Sequence, residues 1–165
     1  ERVTMTLRIA PPAVSNQWLR AHTDVLESSY QHLTGRALLR SACEGAARAQ
    51  ALFNADFALL SHGIEDDPLF NYANQCALDL FELDWPTLLN TPSRVSAEAA
   101  VQAKRETFMR QVRAQGFVDN YSGVRISTTG RRFTIDNATV WNVVSPQGVM
   151  LGQAATFGAW TLLPE

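Results

Sequence analysis

Three histidines, His22, His32 and His62, and two cysteines, Cys43 and Cys76, are the side chains best suited to acid–base, metal or nucleophilic chemistry. The histidines are too dispersed for a metal site. The cysteines lack the spacing of a disulfide framework and read as buried small residues in a reducing, cytoplasmic compartment. His62 stands apart because the acids Glu65, Asp66 and Asp67 follow it before Pro68. Those carboxylates can raise its proton affinity. Its ring either bonds backbone groups to fix the turn, or responds to pH, or contacts a ligand.

Five further residues join His62 as candidate ligand contacts. Asn74 precedes an apolar helical stretch and suits a helix cap. Arg125 shares one side of a strand with Tyr121 and Gly123. If that side faces the helices, the arginine needs an anion or a carboxylate; if it faces water, nothing follows. Trp141 alternates with Phe133, Ile135 and Val143, as a core stripe or as the wall of a ligand cavity. Gln153 alternates with Leu151 and Ala155 and can point an amide inward, where it needs a partner.

These residues must be positioned by a helical stretch and then a mainly β stretch. An alternating arm (Val3, Met5, Leu7, Ile9) ends at Pro11-Pro12. Ser15 and Asn16 offer N-cap oxygens for a helix through Leu19, His22, Leu26, Tyr30 and Leu33, stopping at Gly35. A second helix is expected over Ala37 to Phe53. Short strands follow at Ala58–Ser61 and Leu69–Ala73, then short helices to Pro92. Ser96 is expected to cap the best-marked helix, which ends at Gly116, with Glu98 in its first turn and Val101, Phe108 and Val112 on its apolar stripe. Three β-rich runs complete the chain, Phe117–Ser127, Arg132–Val144 and Val149–Leu162, separated at hairpin spacing. The order fits an α+β fold: a five-stranded antiparallel sheet with helices on one face, preceded by an N-terminal helical extension. The expected division is residues 1–51 for the arm and extension and 52–165 for the sheet domain.

Composition narrows the partners. A net charge of −2 argues against a nucleic-acid surface, and no apolar run approaches the ~20 residues of a membrane span. Acids crowd between His62 and Arg94, whereas Ser96 to Arg132 is rich in lysine and arginine. The two segments read either as solvated faces or as complementary patches in a homodimer.

Several blocks carry a family resemblance. They are Ser61-His62-Gly63, Asp67-Pro68-Leu69-Phe70-Asn71-Tyr72-Ala73-Asn74, Ala77-Leu78-Asp79-Leu80-Phe81, Pro92-Ser93-Arg94, Tyr121 to Ser127, Gly130-Arg131-Arg132-Phe133, Val140-Trp141-Asn142 and Gly152-Gln153-Ala154-Ala155. In this order, from about Leu52 to Trp160, they resemble the MEKHLA domain family, which is similar to PAS domains. The resemblance implies a PAS-like sheet, and a sensory or interaction module that binds a small molecule or a protein partner. No cofactor is named by it. Cys76 lacks the arginine that follows the reactive cysteine of flavin-binding light sensors of that fold, and Ser96 to Gln115 contains no histidine for haem.

The leading expectation is therefore a PAS-like sensor or interaction module, a homodimer with a possible small-molecule ligand. The stripe Leu19, Leu26, Tyr30 and Leu33 needs a surface to cover, either the outer sheet face or a second copy. The alternative is a small enzyme of isomerase or hydrolase type with an enclosed pocket between sheet and helices. It would need a converging acid–base pair, such as His62 with Asp67, or Arg125 with Asp119 or Tyr121.

Overall fold

Apolar residues after Phe57 form strand β1 (Ala58–His62), and a turn closed by Pro68 returns the chain as β2 (Phe70–Ala73). The computed structural model describes residues 9–97 and 102–165. Helices α1 (Arg20–Thr34) and α2 (Gly45–Phe53) precede these strands; α3 (Gln75–Phe81) and α4 (Trp85–Leu88) follow them. A 3-10 turn at Ser93–Ser96 leads toward α5 (Gln102–Gln115), and the chain ends in β3 (Phe117–Ile126), β4 (Arg132–Val144), β5 (Met150–Phe157) and β6 (Ala159–Leu162). All pairings are antiparallel, in the order β2-β1-β5-β4-β3. The expected five-stranded sheet is thus present. Its last strand is broken near Gly158 into β5 and β6, and both pieces pair with β4.

Two irregularities decide which side chains face which way. Asn120 and Asn137 take left-handed backbone conformations, φ 56° and 53°, and pairing between β3 and β4 shifts register there. A bulge reverses the inward and outward alternation. Phe133 accordingly packs on Phe81 of α3, on the inner face. Beyond the bulge Val140 joins Val112 and Val118 beneath α5, while Trp141 turns to the opposite, outer face. The single stripe expected from Phe133 through Val143 is therefore corrected: Phe133 and Ile135 face inward, and Trp141 and Val143 outward.

The outer face is covered by α1. Trp141 is fully buried; its indole donates to the Leu26 carbonyl at 3.2 Å, and its ring meets Tyr30 edge-on at 4.9 Å. Ser29 Oγ donates to the Val144 carbonyl and accepts from the Val144 amide, both at 2.9 Å. Arg36 forms a two-pronged bond to Asp119, whose carboxylate also accepts from Thr139. Arg36 holds that carboxyl below the usual aspartate range. The stripe of α1 thus finds its surface within the same chain.

Several expected boundaries are corrected. Ser15 and Asn16 do not cap α1, which begins after a left-handed run at Gln17, Trp18 and Leu19. The Asn16 amide is spent on the arm, bonding the Ala13 amide and the Pro11 carbonyl. Gly35 ends α1 as expected, at φ 72°. The second helix starts at Gly45 rather than Ala37, because Arg48 draws the carbonyls of Leu39, Ser41 and Cys43 out of helical register while pairing with Glu27. Ser96 closes its own 3-10 turn on the Ser93 carbonyl, and Ala97 then pairs with Arg125. Glu98 and Val101 lie outside the described residues, as do Val3, Met5 and Leu7 of the arm. Neither cysteine is buried; both are half-exposed.

His22, on the sheet side of α1, stacks on Tyr72 at 5.5 Å, with Nε2 3.0 Å from Ser61 Oγ. Ser61 donates its own proton to Asn71 Oδ1, so His22 Nε2 is the donor. Burial lowers its pKa from 6.5 to about 4. Between those values the unfolded chain takes up a proton that the folded protein refuses, so stability falls as pH drops from about 6.5 to about 4 and levels below that. The loss from this group is about 3 kcal/mol. Thermal melts should show that decline, and His22→Gln should flatten it; equal slopes for both proteins would contradict the assignment.

Candidate functional site

Between the inner sheet face, the Ser93–Ala97 segment and α5 lies a cavity of about 510 Å³. The segment from Pro92 to Ala97 straps it, because Pro92 pairs with Leu69 beside β2 and Ala97 pairs with Arg125 of β3. Those two strands are opposite edges of the sheet. Leu60, Phe70, Phe81, Ile135, Val140 and Phe157 supply apolar wall. The size and mostly apolar lining, with a few polar groups, match a small-molecule site.

Four of the six residues singled out from the sequence line this space: His62, Tyr121, Arg125 and Gln153. His62 and Gln153 are cross-strand partners on β1 and β5. Their strands approach closely at Gly152, where a Cβ would fall 1.9 Å from the His62 carbonyl oxygen. Only glycine fits, at φ 154°. His62 Nδ1 is 2.9 Å from the Gly63 carbonyl, and Gln153 Nε2 donates to Asn142 Oδ1 at 3.2 Å. On β3, Tyr121 packs on Phe108 of α5 at 4.4 Å, and the Arg125 guanidinium lies 5.4 Å from the Tyr121 ring centre. A Cβ at Gly123 would come within 2.9 Å of the Tyr121 hydroxyl, so glycine lets that ring lie flat along its strand.

Asn74 and Trp141 stand elsewhere. Trp141 is on the outer face beneath α1. Asn74 is wholly buried, and its amide is consumed by the protein. Its oxygen accepts from the amides of Leu59 and Ala77, the second being the expected cap of α3, and its nitrogen donates to the Leu52 and Phe57 carbonyls. It joins α2, β1 and α3. Asn142 is the residue that sequence reasoning missed; its position one past Trp141 put it on the inner face, but only the bulge at Asn137 reveals that.

Of the acid–base pairs expected for an enzyme, Arg125 and Tyr121 meet on β3, whereas the two aspartates are engaged by other arginines. Asp67 is engaged by Arg94 at 3.0 Å, and Asp119 is engaged by Arg36 on the outer face. Cys76 lies outside the cavity, its thiol pushed up by burial and by Asp79 and Asp56. Among the described residues, no group of three or more His, Cys, Asp or Glu side chains could hold a metal ion.

The MEKHLA domain family model matches residues 20–162, taking in α1 and α2 as well as the sheet. The chain belongs to the MEKHLA domain family. It is 29% identical over 138 residues to the homeobox-leucine zipper protein REVOLUTA of Arabidopsis thaliana, covering 81% of this chain and 15% of that protein. It is 26% identical over 140 residues to the homeobox-leucine zipper protein HOX10 of Oryza sativa subsp. indica, covering 84% of this chain and 17% of that protein. The MEKHLA chain thus spans about a sixth of the length of these relatives. Among solved structures, a PAS domain from Colwellia psychrerythraea superposes with a TM-score of 0.57 at 13% identity, covering 67% of this chain and 91% of the other. A light-oxygen-voltage domain studied with a flavin analogue gives 0.55 at 15% identity, covering 72% and 86%. These likenesses establish a PAS-like fold.

The geometry assigns Asn74 to folding. Asn74→Ala should lower unfolding free energy by about 3 kcal/mol, because two buried amide N–H groups and two carbonyls lose their partner. Urea denaturation measures this; a loss under 1 kcal/mol would contradict the assignment.

Proposed function

We propose that this MEKHLA domain is a sensory module that takes a small molecule into the cavity between its sheet and α5. The observation that carries the reading is a roomy, mostly apolar cavity into which His62, Gln153, Tyr121 and Arg125 converge. A PAS-like sheet packed to perform only a structural role would fill that space with side chains. Small residues at Gly123 and Ala155 help leave it open.

Two features support transmission of an occupancy signal. His62 faces the cavity, while its neighbour Ser61 bonds His22 of α1 on the other side of the sheet. The Ala97–Arg125 bridge likewise ties the strap to a cavity residue. Movement of either contact on binding would be felt at the helix or the strap. No helix of the described residues is long and apolar enough to cross a membrane. With two half-exposed free thiols, a reducing, cytoplasmic setting suits the domain.

A homodimer is the second reading. The α1 stripe no longer argues for it, since that stripe is covered. What favours it is an apolar tip where Ile64, Val149, Met150 and Leu151 are 66%, 56%, 40% and 40% exposed. A dilution series by light scattering showing only monomer at micromolar protein would remove this reading.

Native mass spectrometry of protein isolated from its own host tests the principal reading. A retained small-molecule mass is expected, and Ala155→Leu, which fills part of the cavity, should diminish it severalfold while the fold persists. Repeated spectra without a retained mass would overturn ligand binding in favour of protein–protein interaction alone.

A further inference from the structure

The polar groups on the cavity wall define what chemistry it selects. At one side, a carbonyl oxygen can only accept, so the bond from His62 Nδ1 to the Gly63 carbonyl places the proton on Nδ1. In the neutral ring this leaves Nε2 as an acceptor. Gln153 is oriented in the same way. Its nitrogen donates to Asn142 Oδ1, and the Asn142 nitrogen donates to the Val112 carbonyl at 3.5 Å, which leaves Gln153 Oε1 as the open acceptor. Directly cross-strand residues share a face, so two acceptors stand side by side.

The other side is cationic. Arg20, Arg36, Arg48, Arg94 and Arg131 each have a carboxylate partner within 4.0 Å. Arg125 has none among the described residues; it lies over Tyr121 and donates to the Val124 carbonyl at 3.3 Å. A half-buried guanidinium stacked on an aromatic ring in an apolar wall is a ready site for a carboxylate. Strands β1 and β3 are three spacings apart in the sheet, about 14 Å along its surface, a separation that long side chains at both ends shorten. The sheet face between them carries apolar side chains such as Ile135 and Val140.

We propose that the cavity binds a flat, largely apolar carboxylate bearing a hydroxyl or N–H donor at its far end. The carboxylate pairs with Arg125, the donor meets Gln153 Oε1 and His62 Nε2, and the apolar body lies against the sheet. This assignment rests on the cavity-binding reading above and adds the ligand class.

Binding of 6-hydroxy-2-naphthoate to the full 165-residue chain, followed by its fluorescence, tests the class against its methyl ester and against 2-naphthoate. The acid should bind about tenfold or more tightly than the ester, since a charge-assisted pair is lost. Arg125→Gln should weaken the acid about tenfold and leave the ester unchanged, with Arg125→Lys recovering part of the loss. Gln153→Met should erase the preference for the hydroxyl over plain 2-naphthoate. Circular dichroism and thermal midpoints close to those of the unaltered protein establish that each variant is folded. Equal binding of acid and ester, or no effect of Arg125→Gln on the acid, would overturn the anionic class and leave small-molecule binding standing. Absence of saturable binding by all three would also overturn the class, and the retained mass in native spectra then decides the reading beneath it.

Discussion

Strand β4 has to serve two faces at once, and the rest of the structure depends on how it does so. An uninterrupted strand would send Phe133, Ile135, Trp141 and Val143 to one side. The left-handed residue at Asn137 divides them. Phe133 packs on Phe81 of α3, Ile135 lines the cavity, and Trp141 is delivered to α1, where its indole finds the Leu26 carbonyl. Without that division, either the cavity would be filled by an indole or the outer face would have no anchor for the helix. The matching left-handed residue at Asn120 adjusts β3, placing Asp119 outward toward Arg36 and Tyr121 inward toward Phe108.

The two faces are finished differently. The outer one is sealed by α1, with buried aromatic packing, the Ser29–Val144 bonds and a neutral, desolvated His22. The inner one is held open by small residues and by the strap from Pro92 to Ala97, which spans between opposite edges of the sheet. Polar groups on the sealed side are almost all paired; the Tyr72 hydroxyl is the buried side-chain atom without a partner among the described residues. On the open side, His62, Gln153 and Arg125 line the cavity, where we place the proposed ligand. That contrast is why the inner face reads as a site and the outer face as structure.

Much of this was legible in the sequence. Strand positions, the long helix and the hairpin turns follow from alternation and from turn residues, and the family blocks implied a PAS-like sheet. His62, expected in a turn, is the last residue of β1, whereas Tyr121, Arg125 and Gln153 reached the cavity from the strands expected for them. Trp141 did not, since a bulge at an asparagine leaves no mark in an alternating pattern. Asn74 was read correctly as a cap, but its other bonds reach Leu52 and Phe57, contacts that only the tertiary fold creates. Helix starts failed for a common reason: Asn16, Arg48 and Ser96 spend their polar groups on nearby loops, so local capping propensity was overridden.

Hydrogen exchange on the whole chain probes most directly whether α1 and the sheet form one cooperative unit around Trp141. Amides of residues 24–34 should exchange as slowly as those of central β4, with opening of both governed by the same free energy. Rapid exchange in α1 while β4 stays protected would contradict the account, because the outer face would then hold without its helix.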